Sequence, residues 1–377
     1  MPKNKISIIH YMPVEFYPPT MNFINYLSCQ PDMVVKIHTT HNFLQRDEFK
    51  EKNGVSIFRS FHPKINDSHI VKILKYLQFN LLSFFKLLIS KPDILIYYES
   101  LSALPSYLYL KFNRKKTKLI IINHEYFSKE WYIKTATKLM KFNHYLERKK
   151  LFKCAKLISQ TNIDRKIKFL SDHNIPEEKV FLMPNYPPSS FKLTNTTKPV
   201  IKSPLRLVYI GTLSLEYSYI KEVCEWVIKN KTDILLDIFA YNIEPITKKY
   251  LNELDCQQIQ VFEDGINYFK IPHILGNYDV GLVLYNALTD NFKFNAPNKL
   301  FEYFGCGLDV WFSSDLITSK NYIITESYPK IIEVDFNRID EIKWKELVDR
   351  ENLKRNNSKF YCEVVYKEVL ENINITR

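Results

Sequence analysis

Apolar runs of strand length recur along the whole chain, separated by stretches whose apolar residues return every three to four positions, the period of a helix. In the first half the runs fall at Ile6–Tyr11, Met33–Thr39, 91–98, Lys118–Asn123 and Ala155–Ser159, with a long helical pattern over Ser68–Ser90. Such runs, joined by helical patterns and not by Asn-Gly hairpins, predict βαβ units and a parallel sheet. Over 185–204 (NYPPSSFKLTNTTKPVIKSP) the periodicity gives way to Pro, Ser and Thr, the composition of a linker. It then restarts. Strands are expected at Leu205–Ile210, Ile234–Ala240, Gln258–Phe262, Val280–Leu284 and Val310–Phe312. Helices are expected at Tyr219–Lys229, Ile271–Leu275, Pro297–Phe304 and from about Ile342. The fold class is therefore α/β, with two doubly wound domains facing a cleft: 1–190, a linker 191–204, and 205–355. A final helix in 356–377 is expected to pack back on the first domain.

The length of 377 residues suits two domains, and 46% hydrophobic with 25% charged residues is a globular composition. The net charge of +12 reads in two ways. It is either a basic residue usage scattered over the chain or an attraction to an anionic partner, such as a bilayer surface or a pyrophosphate-linked acceptor. No compact Arg/Lys arm, zinc-knuckle spacing or RNA-binding aromatic signature is present, so nucleic acid is not an expected partner. Six scattered cysteines without a CxxC pair argue against a disulfide framework or zinc site and for a reducing compartment. No signal segment precedes Lys5–Tyr11. The most apolar stretch, Tyr76–Ile89, is short for a bilayer span and broken by Gln78, Asn80 and Lys86. The expectation is a cytoplasmic protein, peripheral at the inner face of the cell membrane. Mixing Lys72, Lys75 and Lys86 with aromatics, the 68–90 helix is suited either to packing on the sheet or to lying on that membrane.

Of seven glycines, Gly54 alone lies in the first half. Gly211 and Gly265 each follow an expected strand, where open α/β sheets bring backbone amides and helix N-termini to phosphates; each also suits a plain turn. Residues 295–310 read NAPNKLFEYFGCGLDV. Pro297 fits a first helical turn, Leu300 and Phe304 face a core, and Gly305 and Gly307 stop the helix. Asn298, Lys299 and Glu302 share the positive end of that helix. Lys299 and Glu302 form either an ordinary i,i+3 surface pair or a site in which a cation meets a diphosphate and a carboxylate meets ribose hydroxyls.

The segment resembles the donor-site motif of GT-B glycosyltransferases, especially family-4-like bacterial enzymes, in which Pro-Asn-Lys-x-x-Glu-Tyr-x-x-x-Gly follows a strand like Asp279-Val-Gly-Leu282. The likeness extends to Tyr209–Ser214, to His124-Glu-Tyr126 and to Pro184–Pro188. It implies two Rossmann-like domains, with a nucleotide-sugar donor and a glycan or lipid-linked oligosaccharide acceptor, as in surface polysaccharide synthesis. It further implies retaining transfer without a metal cofactor; no DxD metal motif is evident. Lys299 is implied to contact the diphosphate and Glu302 the ribose. Gly211, Thr212 and Ser214 meet the phosphates, and Asn298, Tyr241 and Gly265 complete the donor-binding set. Two positions depart from the pattern: Phe294 stands where retaining members carry an acid, and Pro18–Asn22 stands in place of a Gly-Gly loop.

On the acceptor side, His124 and Glu125 follow the 118–123 strand and Glu99 follows the 91–98 strand, so these three are the candidate catalytic groups, orienting or deprotonating a hydroxyl. A lone strand-end His is equally a structural hydrogen-bond partner. Arg165 is expected on a solvated helix face. A nucleotide-sugar 2-epimerase of the same fold and a non-catalytic nucleotide-sugar-binding partner protein are the alternatives.

Overall fold

The computed structural model describes residues 4–42, 47–64, 66–113, 116–192, 201 and 203–373. Most of the 191–204 linker therefore lies outside the described residues. The chain divides into two compact units, 1–184 with 362–377, and 185–361.

The first unit is built on a seven-stranded parallel sheet of order β3-β2-β1-β4-β5-β6-β7. Its strands are β1 Asn4–His10, β2 Met33–Thr40, β3 Val55–Ser60, β4 Ile94–Tyr98, β5 Lys118–Ile122, β6 Ala155–Gln160 and β7 Val180–Leu182. β4 is buried throughout, as a strand covered on both faces must be. Helices α1 Pro18–Ser28, α2 His69–Ser90, α3 Ala103–Phe112, α4 Lys129–Lys134 and α5 Lys138–Leu146 connect the strands. The Ser68 hydroxyl accepts from Val71 N to start α2, and Ser128 and Thr137 start α4 and α5 in the same way. α2 packs on the sheet through Tyr76, Phe79 and Leu87. The last helix, Cys362–Asn372, belongs to this unit: the Tyr366 hydroxyl donates to Pro19 O at 3.0 Å and its ring lies 4.8 Å from Phe23.

The second unit carries a six-stranded parallel sheet in which β10-β9-β8-β11-β12 is followed by an edge strand, Ile331–Val334. The labels denote β8 Leu205–Ile210, β9 Ile234–Phe239, β10 Ile259–Phe262, β11 Val280–Val283 and β12 Asp309–Ser313. Both sheets are doubly wound, and each reverses its order at one place, between β1 and β4 and between β8 and β11. Clefts open outside the carboxyl ends of strands at such points.

The second reversal is held by one side chain. β11 pairs with β8 only at Val280↔Leu207 and Gly281↔Val208. Beyond that, the Ile210 amide donates to the hydroxyl of buried Tyr303 at 2.9 Å. Tyr303 reaches it by crossing β11 at Gly281, where an added Cβ would lie 2.2 Å from the ring.

Three strands are not expected from the sequence: β3, where Ser56, Arg59 and Ser60 interrupt the apolar residues; β7, three residues long; and Ile331–Val334, four residues at an edge. The helix expected from Ile342 is only a turn, Trp344–Leu347. It ends before Asp349-Arg-Glu-Asn352, where Asn352 takes a left-handed conformation at φ 64°. Gly281→Ala is expected to lower stability by about 2–3 kcal/mol, since Tyr303 has no room to withdraw; denaturant melts of the two proteins would measure it.

Candidate functional sites at the carboxyl ends of the two sheets

In the second unit a cavity of about 450 Å³ opens at the carboxyl ends of β8 and β9. Thr212 and Ser214 line it, with Asn242, Glu244, Tyr285 and Phe292. The Tyr209 hydroxyl donates to Thr212 O at 2.6 Å, fixing the turn that begins at Gly211. Ser214 Oγ donates to Glu244 Oε2 at 2.7 Å and accepts from Glu216 N at 3.1 Å, so that hydroxyl is already engaged. The Tyr285 and Phe292 rings stack at 5.1 Å. The one charged group in the lining is the Glu244 carboxylate. No cation lines it.

The helix Asn298–Gly305 connects the parallel strands β11 and β12, so its amino end stands at the carboxyl end of the sheet. Pro297 is the residue before this helix, with an extended ψ of 153°, and not its first turn. Cys306 caps the other end, and Gly307 leaves it at φ 87°. The Lys299 ammonium is bonded to Glu302 Oε2. The pair is not the surface pair that its spacing alone allows: the Glu302 side chain is 1% exposed and that of Lys299 20%. Asn298 is half-buried at the opening of the helix, whose first amides lack intrahelical acceptors. Gly265 and Tyr241 meet each other. Gly265 has φ 59°, and an added Cβ would stand 2.5 Å from the Tyr241 ring, so this glycine serves a turn closed by an aromatic face. Neither residue lines the cavity.

In the first unit, His124, Glu125 and Glu99 come together beyond β5 and β4. Glu99 Oε1 accepts from His124 N at 2.6 Å and Glu125 N at 3.3 Å. Burial, and then the Glu125 carboxylate, push the Glu99 carboxyl up to about 8. Its backbone holds φ 60° and ψ 156°, a conformation suited to glycine. His124 is stacked between Tyr17 and Tyr98, with centroids at 5.7 and 5.3 Å, and its Nε2 lies 3.1 Å from Thr20 Oγ1.

Several members of this cluster went unread in the sequence. His10, the last residue of β1, is buried, and burial and then His124 hold it well below the usual imidazole range. The logic that singles out His124, an imidazole closing an apolar strand, applies equally to His10. Arg165 is not on a solvated face. It is 1% exposed, and its guanidinium donates to His124 O at 2.6 Å and to Thr161 Oγ1 at 2.9 Å, with Glu125 at 3.9 Å. Nor is Pro18–Asn22 a loop. It forms the first turns of α1, with prolines where no amide is needed, and delivers Thr20 to His124. Glu147, buried behind β4, accepts from Tyr97 at 2.9 Å and Ser100 at 2.6 Å. Among the described residues no group of three or more His, Cys, Asp or Glu is placed to hold a metal ion.

No protein-family model matches the chain, and no curated sequence does. Solved structures match along its whole length. The lipopolysaccharide outer core galactosyltransferase WaaB superposes with a TM-score of 0.63 at 15% identity, covering 98% of this chain and 99% of that one. Anabaena HepE in complex with UDP and glucose gives 0.65 at 10% identity, covering 99% and 100%. The UDP-GlcNAc 2-epimerase of Neisseria meningitidis bound to UDP-GlcNAc gives 0.59 at 14% identity, covering 98% and 99%. The fold is GT-B. The GT-B resemblance read from 279–310 thus holds over the full chain at the level of fold, and transferases and epimerases share it.

Glu99 gives a pH signature. Its proton is held more tightly in the folded protein than at the ordinary carboxyl value of 4.5. The folded state is therefore favoured while Glu99 is protonated, and stability is lost as pH rises from 4.5 through about 8. Glu99→Gln keeps the accepting oxygen and removes this loss. Its thermal midpoint relative to the wild type is expected to climb between about pH 5 and about pH 9. A pH-independent difference would show that the group titrates normally.

Proposed function

We propose that this protein is a glycosyltransferase that moves a sugar from a nucleoside diphosphate sugar to a glycan or lipid-linked oligosaccharide in surface polysaccharide synthesis. The observation that carries this reading is the pairing of half-buried Lys299 with buried Glu302 at the amino end of the 298–305 helix. A carboxylate out of water needs its cation, and this cation sits beside helix amides that also attract anions. In the proposed donor complex, Lys299 and the amides of Asn298 and Lys299 neutralise the diphosphate. Glu302 accepts from ribose hydroxyls. Gly211, Thr212 and Ser214 border the phosphates, and Tyr241 and Gly265 bound the same side of the sheet.

In the proposed reaction the bond from the anomeric carbon to the diphosphate oxygen breaks and a bond to the acceptor oxygen forms. The acceptor oxygen attacks from the face that the diphosphate leaves, which gives retention, and its proton passes to the leaving phosphate oxygen. Glu99, His124 and Glu125 position the acceptor hydroxyl, with Arg165 anchoring the His124–Glu125 segment. Lys299 and the helix amides take the charge-neutralising role, so transfer is proposed to proceed without a divalent metal. Phe294, where retaining relatives carry an acid, leaves the donor sugar without that contact and is proposed to narrow the sugars accepted.

The likeness to 2-epimerases supports a second reading, with the same donor and no acceptor. Against it, the second unit's histidine, His273, is exposed on a short helix and not at the carboxyl end of a strand. Incubation with UDP-, GDP- and TDP-sugars in EDTA separates the readings: released nucleoside diphosphate supports transfer, an epimerised donor supports the second, and a thermal shift without turnover leaves a binding protein. Lys299→Ala and Glu302→Gln are each expected to cut turnover roughly a hundredfold, the usual cost of one preorganised charge contact. Wild-type rates in both would sink the site.

A further inference from the structure

α2 is apolar on the wrong side for a helix that only packs on its own sheet. Its inner face, with Tyr76, Phe79, Ser83 and Leu87, is buried, and the Tyr76 hydroxyl donates to Leu101 O at 3.2 Å and Asn143 Oδ1 at 3.0 Å. Its outer face is a continuous stripe at helical spacing: Ile70, Leu74, Leu77, Leu81, Phe85 and Ile89, the last 80% exposed. Gln78 is the polar residue among them. The 22-residue helix is long and apolar enough, by length and composition, to cross a bilayer, although the run Tyr76–Ile89 alone is not. With one face fixed to the sheet, it is suited to lie in the plane of a membrane surface instead.

The charge around it is one-sided. α2 contains Lys72, Lys75 and Lys86 and no acidic residue. Lys75 is paired with Asp67, and Lys86 lies 3.9 Å above the Phe58 ring. α3 packs beside α2, and α5 beside α3. Between α4 and α5 an open pocket of about 760 Å³ is lined by Lys129, Lys141, Arg148 and Lys149, with no carboxylate in the lining. Its floor is Tyr132 stacked on His144 at 3.7 Å, and its rim exposes Ile133 and Tyr145. His144 is buried, and its Nδ1 lies 3.5 Å from the carboxylate of buried Glu147, which does not line the pocket. Cations set among exposed apolar side chains suit phosphate headgroups with acyl chains beneath them.

We propose that the first unit docks on an anionic bilayer through this face, the α2 stripe entering the headgroup–acyl boundary and the α4–α5 pocket taking lipid phosphates. The inference stands apart from the transfer reading, because it needs neither donor nor turnover. Flotation of the full chain with phosphatidylcholine–phosphatidylglycerol vesicles, against pure phosphatidylcholine, tests it. Retention on the anionic vesicles, weakened by salt, is expected. Leu77→Glu/Leu81→Glu is expected to lower retention about tenfold or more, and Arg148→Glu/Lys149→Glu to do so independently about tenfold. All four positions are solvent-facing, so thermal midpoints should stay near the wild-type value, and either pair alone decides if the other fails to fold. Equal retention on neutral vesicles, or wild-type retention in a folded pair variant, overturns the proposal. So does a dimer in solution that Leu77→Glu/Leu81→Glu dissolves while vesicle binding is absent, which would assign the stripe to a second copy.

Discussion

The second unit depends on the hydrogen bond from Ile210 N to the Tyr303 hydroxyl. At that point β8 has parted from β11, and a strand amide left open inside a protein is costly. Tyr303 closes it from a helix that begins on the far side of β11, and Gly281 makes the crossing sterically open. One contact therefore fixes three things together: the end of β8, the Gly211 turn that follows it, and the register of the helix bearing Lys299 and Glu302. The chemistry proposed for that helix relies on its position being set by packing in the core and not by the ligand.

Much of the architecture was legible in the alternation of apolar runs and helical periods. Both parallel sheets, the breakpoint near 185–204 and β8 at Leu205–Ile210 follow from residue pattern alone, because a strand covered on both faces has to be apolar along its length. Edge strands escaped for other reasons: β3 mixes Ser56, Arg59 and Ser60 with its apolar residues, and β7 is only three residues long. The donor helix was visible because its signal is local, with Lys299, Glu302, Gly305 and Gly307 within nine positions. The first unit's cluster was visible only in part. His124, Glu125 and Glu99 close strands, but Arg165 and Thr20 arrive from helices distant in sequence, and nothing in a helical period distinguishes an arginine turned inward from one facing water.

The two units handle charge differently. In the second, buried carboxylates are matched by cations, Glu302 by Lys299 and Asp309 by Arg350, in surroundings where a low dielectric strengthens each contact. In the first, carboxyl groups crowd at the strand ends, Glu99 against Glu125 with Glu147 beyond, while the cations of α4 and α5 remain outside on the surface. Arg165 is the buried exception, and it ties the segment after β5 to the helix Ile163–Asp172.

Glu99 also occupies a backbone conformation that costs a non-glycine residue about 1–3 kcal/mol. The turn after β4 would be more comfortable with glycine, yet the chain places there a carboxyl group whose oxygen is gripped by two consecutive amides. Its direction is thereby frozen before any partner arrives. In the proposed transfer, a carboxyl group held this rigidly would favour acceptor hydroxyls presented at one angle, so that discrimination among sugars would rest on the backbone φ and ψ of a single residue.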